Sequence, residues 1–261
     1  MNDFANCIIV EDEIVHSNRL RKLLSVTDER VRVLSVCRTQ EDALARIHRE
    51  HPQLLFLDIR LQDNARGGFD LLQKIERPAF DVIFTTAHID GNINEIRRCG
   101  IDYLPKPYIQ SELQDALNKF WERGIGHIGI GHLNTLLHNL VTDQLDEQMI
   151  WLKLAEGSIP VKIKSLIYCK ARNQYTDMYV FDENSGKITE IRTSTGLGVW
   201  EKDLAGVRFC RTHDSYLVNI RHIAKVGASS LHLKHIKDPL NVSPTGKERL
   251  NAIMKMPLRR G

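Results

Sequence analysis

Leu54-Leu55-Phe56-Leu57-Asp58 decides the fold of the first half of this chain: four apolar residues in a row, closed by a carboxylate. A run this short, apolar at every position rather than at alternate ones, reads as a strand buried on both faces. Three further runs share the form. Cys7-Ile8-Ile9-Val10 precedes Glu11-Asp12-Glu13, Val82-Ile83-Phe84 precedes Thr85-Thr86, and Ile101-Asp102-Tyr103-Leu104 precedes Lys106-Pro107. Amphipathic segments separate them, the pattern of parallel strands joined by crossover helices. Ligands of an open parallel sheet bind beyond the carboxyl ends of its strands. The acids, a hydroxyl and one lysine are therefore expected to converge in one pocket.

Charge then limits what the pocket can do. Glu11, Asp12 and Asp58 cannot all be ionised within a few ångströms without a cation, because like charges raise one another's pKa. A hard divalent ion with oxygen ligands, Mg²⁺ first, relieves the repulsion and keeps positions open for phosphate oxygens. Asp58 would be the nucleophile towards a phosphoryl group. Lys106 and the metal would stabilise its equatorial oxygens, and the Thr86 hydroxyl would donate to one of them.

With these residues in hand, roughly the first 120 positions resemble the receiver domain of two-component response regulators, a flavodoxin-like α/β fold with a doubly wound, five-stranded parallel sheet. The resemblance implies Glu11 and Asp12 as metal-binding acids, with Asp12 the direct ligand, and Asp58 as phosphoacceptor. It implies the backbone carbonyl of Arg60 as a further metal ligand, Thr86 and Tyr103 as switch residues, and Lys106 followed by a cis proline. The loop Arg60-Leu61-Gln62-Asp63-Asn64-Ala65-Arg66-Gly67-Gly68 departs from the family: it is about two residues longer than usual and lacks the usual proline.

The chain has 261 residues, enough for two domains with sizeable cores, and its 42% hydrophobic and 26% charged content is ordinary for a globular protein. No apolar stretch approaches a membrane span. Met1-Asn2-Asp3-Phe4 has neither a basic start nor an apolar signal core. The five cysteines are scattered without a Cys-x-x-Cys pair, which argues for reduced thiols and a cytoplasmic setting. A net charge of +3 hides an asymmetry: residues 1–120 hold 16 Lys and Arg against 19 Asp and Glu, residues 151–261 hold 19 against 10. A basic second half points to an anionic partner, nucleic acid first.

Ser111 to Leu117 reads as the last helix of the first domain, capped by Ser111 and ending near Trp121-Glu122-Arg123. Gly124-Ile125-Gly126-His127-Ile128-Gly129 matches a dinucleotide fingerprint literally, but a helix precedes it where a strand is required, so a hinge is the better reading. Leu133 to Leu140 has helical apolar spacing. His127, His132 and His138 share no spacing with an acidic or cysteine partner and read as solvent-exposed. The domains are thus expected at 1–122, with a linker carrying a short amphipathic helix at 123–150, and at 151–261.

From Trp151 short alternating strands follow at Ile159–Ile163, Leu166–Lys170, Thr176–Phe181, Ile188–Thr193, Tyr216–Asn219, Ile223–Val226 and Leu231–Leu233, with helices at Gly198–Leu204 and Lys247–Met254. This is the pattern of a mainly-β domain. Phe209-Cys210-Arg211-Thr212-His213-Asp214-Ser215-Tyr216-Leu217-Val218-Asn219 is similar to the signature of the LytTR DNA-binding domain. That resemblance implies an elongated β-structure that places loops into successive major grooves of double-stranded DNA, two copies on direct repeats. It implies DNA-facing positions at Arg172, Asn173, Gln174 and Tyr175, at Asp214, and around Thr245 and Lys247. Arg172 would take a guanine edge and Asn173 or Gln174 an adenine edge. Lys170, Arg211, Arg221 and Lys247 would contact phosphates. His213, Ser215, Tyr216 and Asn219 are read as equally suited to a structural role. Asp214 and Pro244-Thr245-Gly246 stand where the family often has basic residues. His232 and His235 fall on opposite faces of a strand, poor geometry for a metal.

The expectation is a non-enzymatic, DNA-binding response regulator, phosphorylated at Asp58 by a sensor histidine kinase and dimeric when active. The receiver itself would catalyse any phosphorylation and dephosphorylation at Asp58. The alternative is a signalling adaptor whose second domain binds protein, and a third is a phosphohydrolase using Asp58.

Overall fold

The computed structural model describes residues 4–76, 78–87, 91–126, 130–142 and 144–255. Met1, Asn2 and Asp3, and the His127 and Gly129 of the glycine-rich segment, lie outside the described residues. Contacts divide the chain into two units, Met1–Leu137 and His138–Gly261.

The first unit alternates strand and helix: β1 (Ala5–Val10), α1 (Ile14–Thr27), β2 (Val31–Cys37), α2 (Gln40–Glu50), β3 (Leu54–Asp58), α3 (Gly67–Gln73), β4 (Asp81–Thr86), α4 (Gly91–Arg98), β5 (Asp102–Pro105) and α5 (Gln110–Arg123). The strands pair in parallel in the order β2-β1-β3-β4-β5. β3 and β4 are buried at every residue, as continuous apolar runs require. The edge strand β2 alternates more, and its mixed sequence Val-Arg-Val-Leu-Ser gives no such run. On one side of the sheet, Ile9 and Phe56 pack with Leu20 and Leu24 of α1 and with Leu113, Leu117 and Phe120 of α5.

Ser111 does not cap α5. The helix begins at Gln110 with Ile109 at its cap position and no side-chain cap, so Ser111 is already in the first turn. The helix ends at Arg123, as expected. A further helix, α6 (Ile130–Val141), buries Leu133 and Leu136. His132 is half-buried, its Nδ1 2.7 Å from the Cys99 carbonyl, rather than solvent-exposed.

The second unit is mainly β. It contains β6 (Met149–Lys153), β7 (Ser158–Lys162), β8 (Leu166–Arg172), β9 (Tyr175–Asp182), β10 (Lys187–Thr193), α7 (Leu197–Asp203), β11 (Phe209–His213), β12 (Tyr216–Asn219), β13 (Ile223–Val226), β14 (Ser230–Leu233), β15 (Leu240–Asn241) and α8 (Pro244–Lys255). A five-stranded antiparallel sheet runs β10-β9-β8-β12-β11, beside a three-stranded sheet β13-β14-β15 and the pair β6-β7. The central sheet is covered on both faces. Cys169, Met178 and Leu217 pack with Trp200 and Leu204 of the α7 region, while Tyr168 and Val218 pack with Leu231, Leu233 and Leu250 of α8.

Three strands of the second unit escape the sequence reading, as the edge strand β2 does in the first. β6 and β15 belong to two- and three-stranded ribbons, and β11 alternates buried Cys210 and Thr212 with the charged Arg211 inside the signature segment. His235 lies beyond the end of β14 rather than on it, in left-handed backbone (φ 68°), with its ring stacked on Phe181 at 3.8 Å. All five cysteines are buried free thiols, and burial pushes those of Cys7 and Cys37 up to about 12, which keeps these two protonated at neutral pH. Among the described residues no helix is long and apolar enough to cross a membrane.

Candidate functional site

The carboxyl ends of β1, β3, β4 and β5 deliver Glu11 and Asp12, Asp58, Thr86 and Lys106 to one place. A cavity of about 360 Å³ opens there, with Asp12, Asp58, Arg60, Thr86 and Lys106 in its wall. The Lys106 ammonium donates to Asp58 Oδ2 at 2.6 Å and lies 2.6 Å from Glu11 Oε2, with all three side chains nearly fully buried. The Arg60 N–H donates to Asp58 Oδ1 at 3.1 Å. Burial pushes the Asp58 carboxyl up to about 6. The Lys106 hydrogen bond and charge oppose that rise, Glu11 adds to it, and the Arg60 N–H opposes it.

One carboxylate oxygen from each of Glu11, Asp12 and Asp58 lies within 4.8 Å of the others, a set that fits a hard divalent cation. The Lys106–Pro107 bond is cis, and the Lys106 N–H donates to the Thr86 carbonyl at 2.7 Å, joining β5 to β4 beside the pocket. Tyr103 sits on β5 opposite Phe84, half-buried and outside the cavity wall.

Tyr108 is the residue the sequence reading missed. Its hydroxyl donates to Glu11 Oε2 at 3.2 Å and its ring is buried. Burial first, and then the Glu11 charge, push its phenol well above the ordinary range. An aromatic next to Lys106-Pro107 was visible in the sequence, but nothing there said that it turns inward.

The long loop after Asp58 folds on itself. Leu61 and Asn64 exchange both backbone hydrogen bonds around Gln62 and Asp63, which take φ 51° and 61°, and the Gln62 N–H donates to Asp12 Oδ2 at 3.1 Å. The loop closes where the Gly68 N–H donates to the Ile59 carbonyl at 3.0 Å. A Cβ on Gly68 would stand 2.2 Å from the Asp58 carbonyl oxygen, so only glycine allows this approach.

In the second unit the expected DNA-facing segments meet at one end of the central sheet. Asn173 and Gln174 form the turn between β8 and β9, with Asn173 at φ 55°. Asp214 and Ser215 form the turn between β11 and β12, and the Ala171 N–H donates to the Ser215 carbonyl at 2.9 Å. The start of α8 comes to the same place: the Ser243 N–H donates to the Thr212 carbonyl at 3.0 Å. The Ser243 hydroxyl accepts from Gly246 N–H at 3.0 Å, a helix cap. A Cβ on Gly246 would lie 1.9 Å from the Thr212 carbonyl oxygen. Close packing explains Gly246, whereas Pro244 and Thr245 are exposed.

Residues 7–118 match the response regulator receiver domain, and residues 156–255 match the LytTr DNA-binding domain. The chain belongs to the LytTR-type response regulators. It is 27% identical to the sensory transduction protein LytT of Bacillus cereus over 222 residues, covering 84% of this chain and 85% of that protein. It is 28% identical to the sensory transduction protein LytR of Staphylococcus haemolyticus over 228 residues, again 84% and 85%. A solved LytTr DNA-binding domain from Bacillus cereus aligns with 41% of this chain and 97% of its own, at 22% identity and a TM-score of 0.34.

Within this response regulator cations expected at phosphates have partners of their own. The Arg211 side chain is largely buried and donates to the carbonyls of His213 and Asp214 and to Glu201. Lys247 donates to the carbonyls of Gly227 and Ala228 at 3.2 and 3.3 Å, bracing the β13–β14 turn, and Arg221 pairs with Asp146. Asn219 is structural, donating to the carbonyls of Ile163 and Leu166 at 3.2 and 3.0 Å, and His213 Nδ1 accepts from the Ser215 N–H. Tyr175 is 41% exposed at the head of β9.

Proposed function

We propose that this protein is a transcriptional regulator whose DNA binding is controlled by phosphorylation of Asp58. The observation that carries the reading is the Asp58 carboxylate in the wall of an acidic cavity with the Lys106 ammonium 2.6 Å away. Glu11, Asp12 and Asp58, with the Arg60 carbonyl, would hold Mg²⁺, which when bound supplies positive charge for the oxygens of a transferring phosphoryl group. Asp58 attacks the phosphorus of a kinase phosphohistidine, the N–P bond breaks, and an aspartyl phosphate forms. Lys106 then pairs with a phosphoryl oxygen, and Thr86 donates to another. Thr86 and Tyr103, on adjacent strands β4 and β5, relay the change to the surface of α4, β5 and α5.

On this reading a histidine kinase donates the phosphoryl group, two activated copies associate, and their basic second domains engage adjacent direct repeats of double-stranded DNA in the cytoplasm. The protein performs no reaction beyond its own phosphorylation and dephosphorylation. Fluorescence-anisotropy titration of a library of DNA repeats across a salt series, with and without beryllofluoride and Mg²⁺, tests it. Sequence-preferring binding that tightens on activation is the expected result. Weak, sequence-blind binding that ignores activation would instead favour an adaptor with a protein partner, the reading to which Asp214 and the non-basic Pro244-Thr245-Gly246 lean. Loss of acetyl-phosphate labelling in Asp58→Asn is the companion control.

A further inference from the structure

Asp177 carries a carboxylate that neither the receiver chemistry nor the signature segment uses. It is fully buried on β9, yet two cations hold it. The Arg172 Nε donates to its Oδ2 at 2.8 Å, and Arg192 donates through Nε to Oδ1 at 2.8 Å and through Nη2 to Oδ2 at 3.3 Å. The register explains the meeting: Arg192 on β10 lies directly opposite Asp177, and Lys170 on β8 lies opposite it on the other side. Directly opposed residues share a face of the sheet. One row therefore runs Arg192, Asp177, Lys170 across three strands, with Arg172 joining it from the turn.

Glu190, two residues before Arg192 on β10, adds a second carboxylate, yet Arg172, Arg192 and Lys170 still outnumber the two acids. The surplus positive charge faces outward, because the Arg172 and Arg192 side chains are 53% and 59% exposed while the acid between them is covered. Each arginine is anchored by its Nε, which leaves terminal nitrogens for another acceptor. Anchoring also removes rotamer freedom before any ligand arrives. The row ends beside the Asn173–Gln174 turn and the Asp214–Ser215 turn, since Tyr216 pairs with Lys170.

We propose that Asp177 is a positioning residue that presents Arg172 and Arg192 as a fixed pair for DNA backbone phosphates. This rests on the DNA-binding reading and revises one part of it: Arg172 is a phosphate contact rather than a reader of guanine. A row of cations on a sheet face, spanning two inter-strand spacings or roughly 10 Å, suits a line of phosphates. The non-cationic turn residues Asn173, Gln174 and Asp214 are left to face the bases.

The test is anisotropy of the full chain, activated with beryllofluoride and Mg²⁺, on a duplex selected from the repeat library and on a scrambled duplex of equal composition, across a salt series. Arg172→Gln and Arg192→Gln keep a hydrogen-bond donor and remove one charge each. Each should weaken both duplexes by the same factor, roughly five- to tenfold, and lower the salt slope by about 0.9. Asp177→Asn gives opposite signs for two explanations. Loss of positioning weakens binding although the domain has gained positive charge, whereas a purely electrostatic role tightens it and overturns the proposal. Because Asp177 is buried, circular-dichroism melting checks that variant, and the exposed arginine variants decide the matter if it does not fold. Wild-type binding with unchanged affinity and slope in both arginine variants overturns this inference and leaves the DNA-binding reading standing. Loss confined to the selected duplex makes Arg172 a base reader and also overturns it. Absence of salt-dependent binding by the wild type removes the DNA-binding reading and this inference together.

Discussion

The backbone N–H of Gln62 donates to the Asp12 carboxylate at 3.1 Å, so the loop that follows β3 is fastened to the acidic turn that follows β1. An amide oxygen could accept that bond equally well, but it would not carry the charge that a divalent cation needs. Asp12→Asn is therefore expected to change the stability of the metal-free protein by less than about 0.5 kcal/mol. It should also abolish most of the stabilisation that saturating Mg²⁺ gives, about 2.7 kcal/mol at a hundredfold excess over the dissociation constant. Thermal melting in EDTA and in a Mg²⁺ titration checks both halves.

Asn219 closes the signature segment and is buried, with its amide shared between two carbonyls. Asn219→Ala leaves the Ile163 and Leu166 carbonyls without that donor. We expect a loss of about 2–3 kcal/mol in urea unfolding. Receiver phosphorylation, read by acetyl-phosphate labelling, should be unchanged, because this residue belongs to the second unit.

Two glycines of the second unit should respond in opposite directions to alanine. Gly246 meets the Thr212 carbonyl oxygen, a backbone atom that cannot turn aside, and Gly246→Ala should cost at least about 2 kcal/mol. Gly198, inside α7, meets nothing within 4 Å, and Gly198→Ala should stabilise by up to about 1 kcal/mol. Urea unfolding of the two variants side by side gives the comparison.

His222 is buried, with Nε2 2.7 Å from the Lys164 carbonyl. Burial lowers its pKa first, the Lys164 carbonyl opposes, and the nearby His235, Lys234 and Arg221 lower it further. The folded state thus holds His222 neutral at a pH where the unfolded chain takes up a proton. Stability is full above the unfolded histidine pKa of about 6.5 and is lost as pH falls from there through the lower folded value. Melting temperature should fall with acidification across that window, and His222→Gln should flatten the fall. An equal slope in the variant would assign the acid sensitivity elsewhere.

The pocket was legible in the sequence because it is built at strand ends. Asp58 and Thr86 close apolar runs, so chain order alone places them at the same edge of the sheet. Tyr108 was not legible, because it lies past the last strand and its inward turn depends on Glu11, 97 positions earlier. Ser111 looked like a cap from its residue type, but the helix had already begun at Gln110. In the second unit the strands with strong alternation were readable, whereas β11 was hidden by its charges. The directions of Arg211 and Lys247 could not be read at all. A sequence shows that a cation is present, and only the fold shows whether it reaches outward or braces a neighbouring turn.

The loop from Ile59 to Gly68 leaves and re-enters the receiver at a single point, with its two ends joined by one hydrogen bond and its middle folded into a hairpin of its own. Its length is consequently decoupled from the geometry of Asp58. Residues gained or lost beyond Gln62 reshape the rim of the cavity, where Asp63 and Ala65 line it, while the Gln62 bond ties the loop to Asp12 on its floor. For the experimenter, the same decoupling marks the exposed Arg66, next to the cavity-lining Ala65 but outside the lining itself, as a place to attach a fluorophore that reports on the pocket.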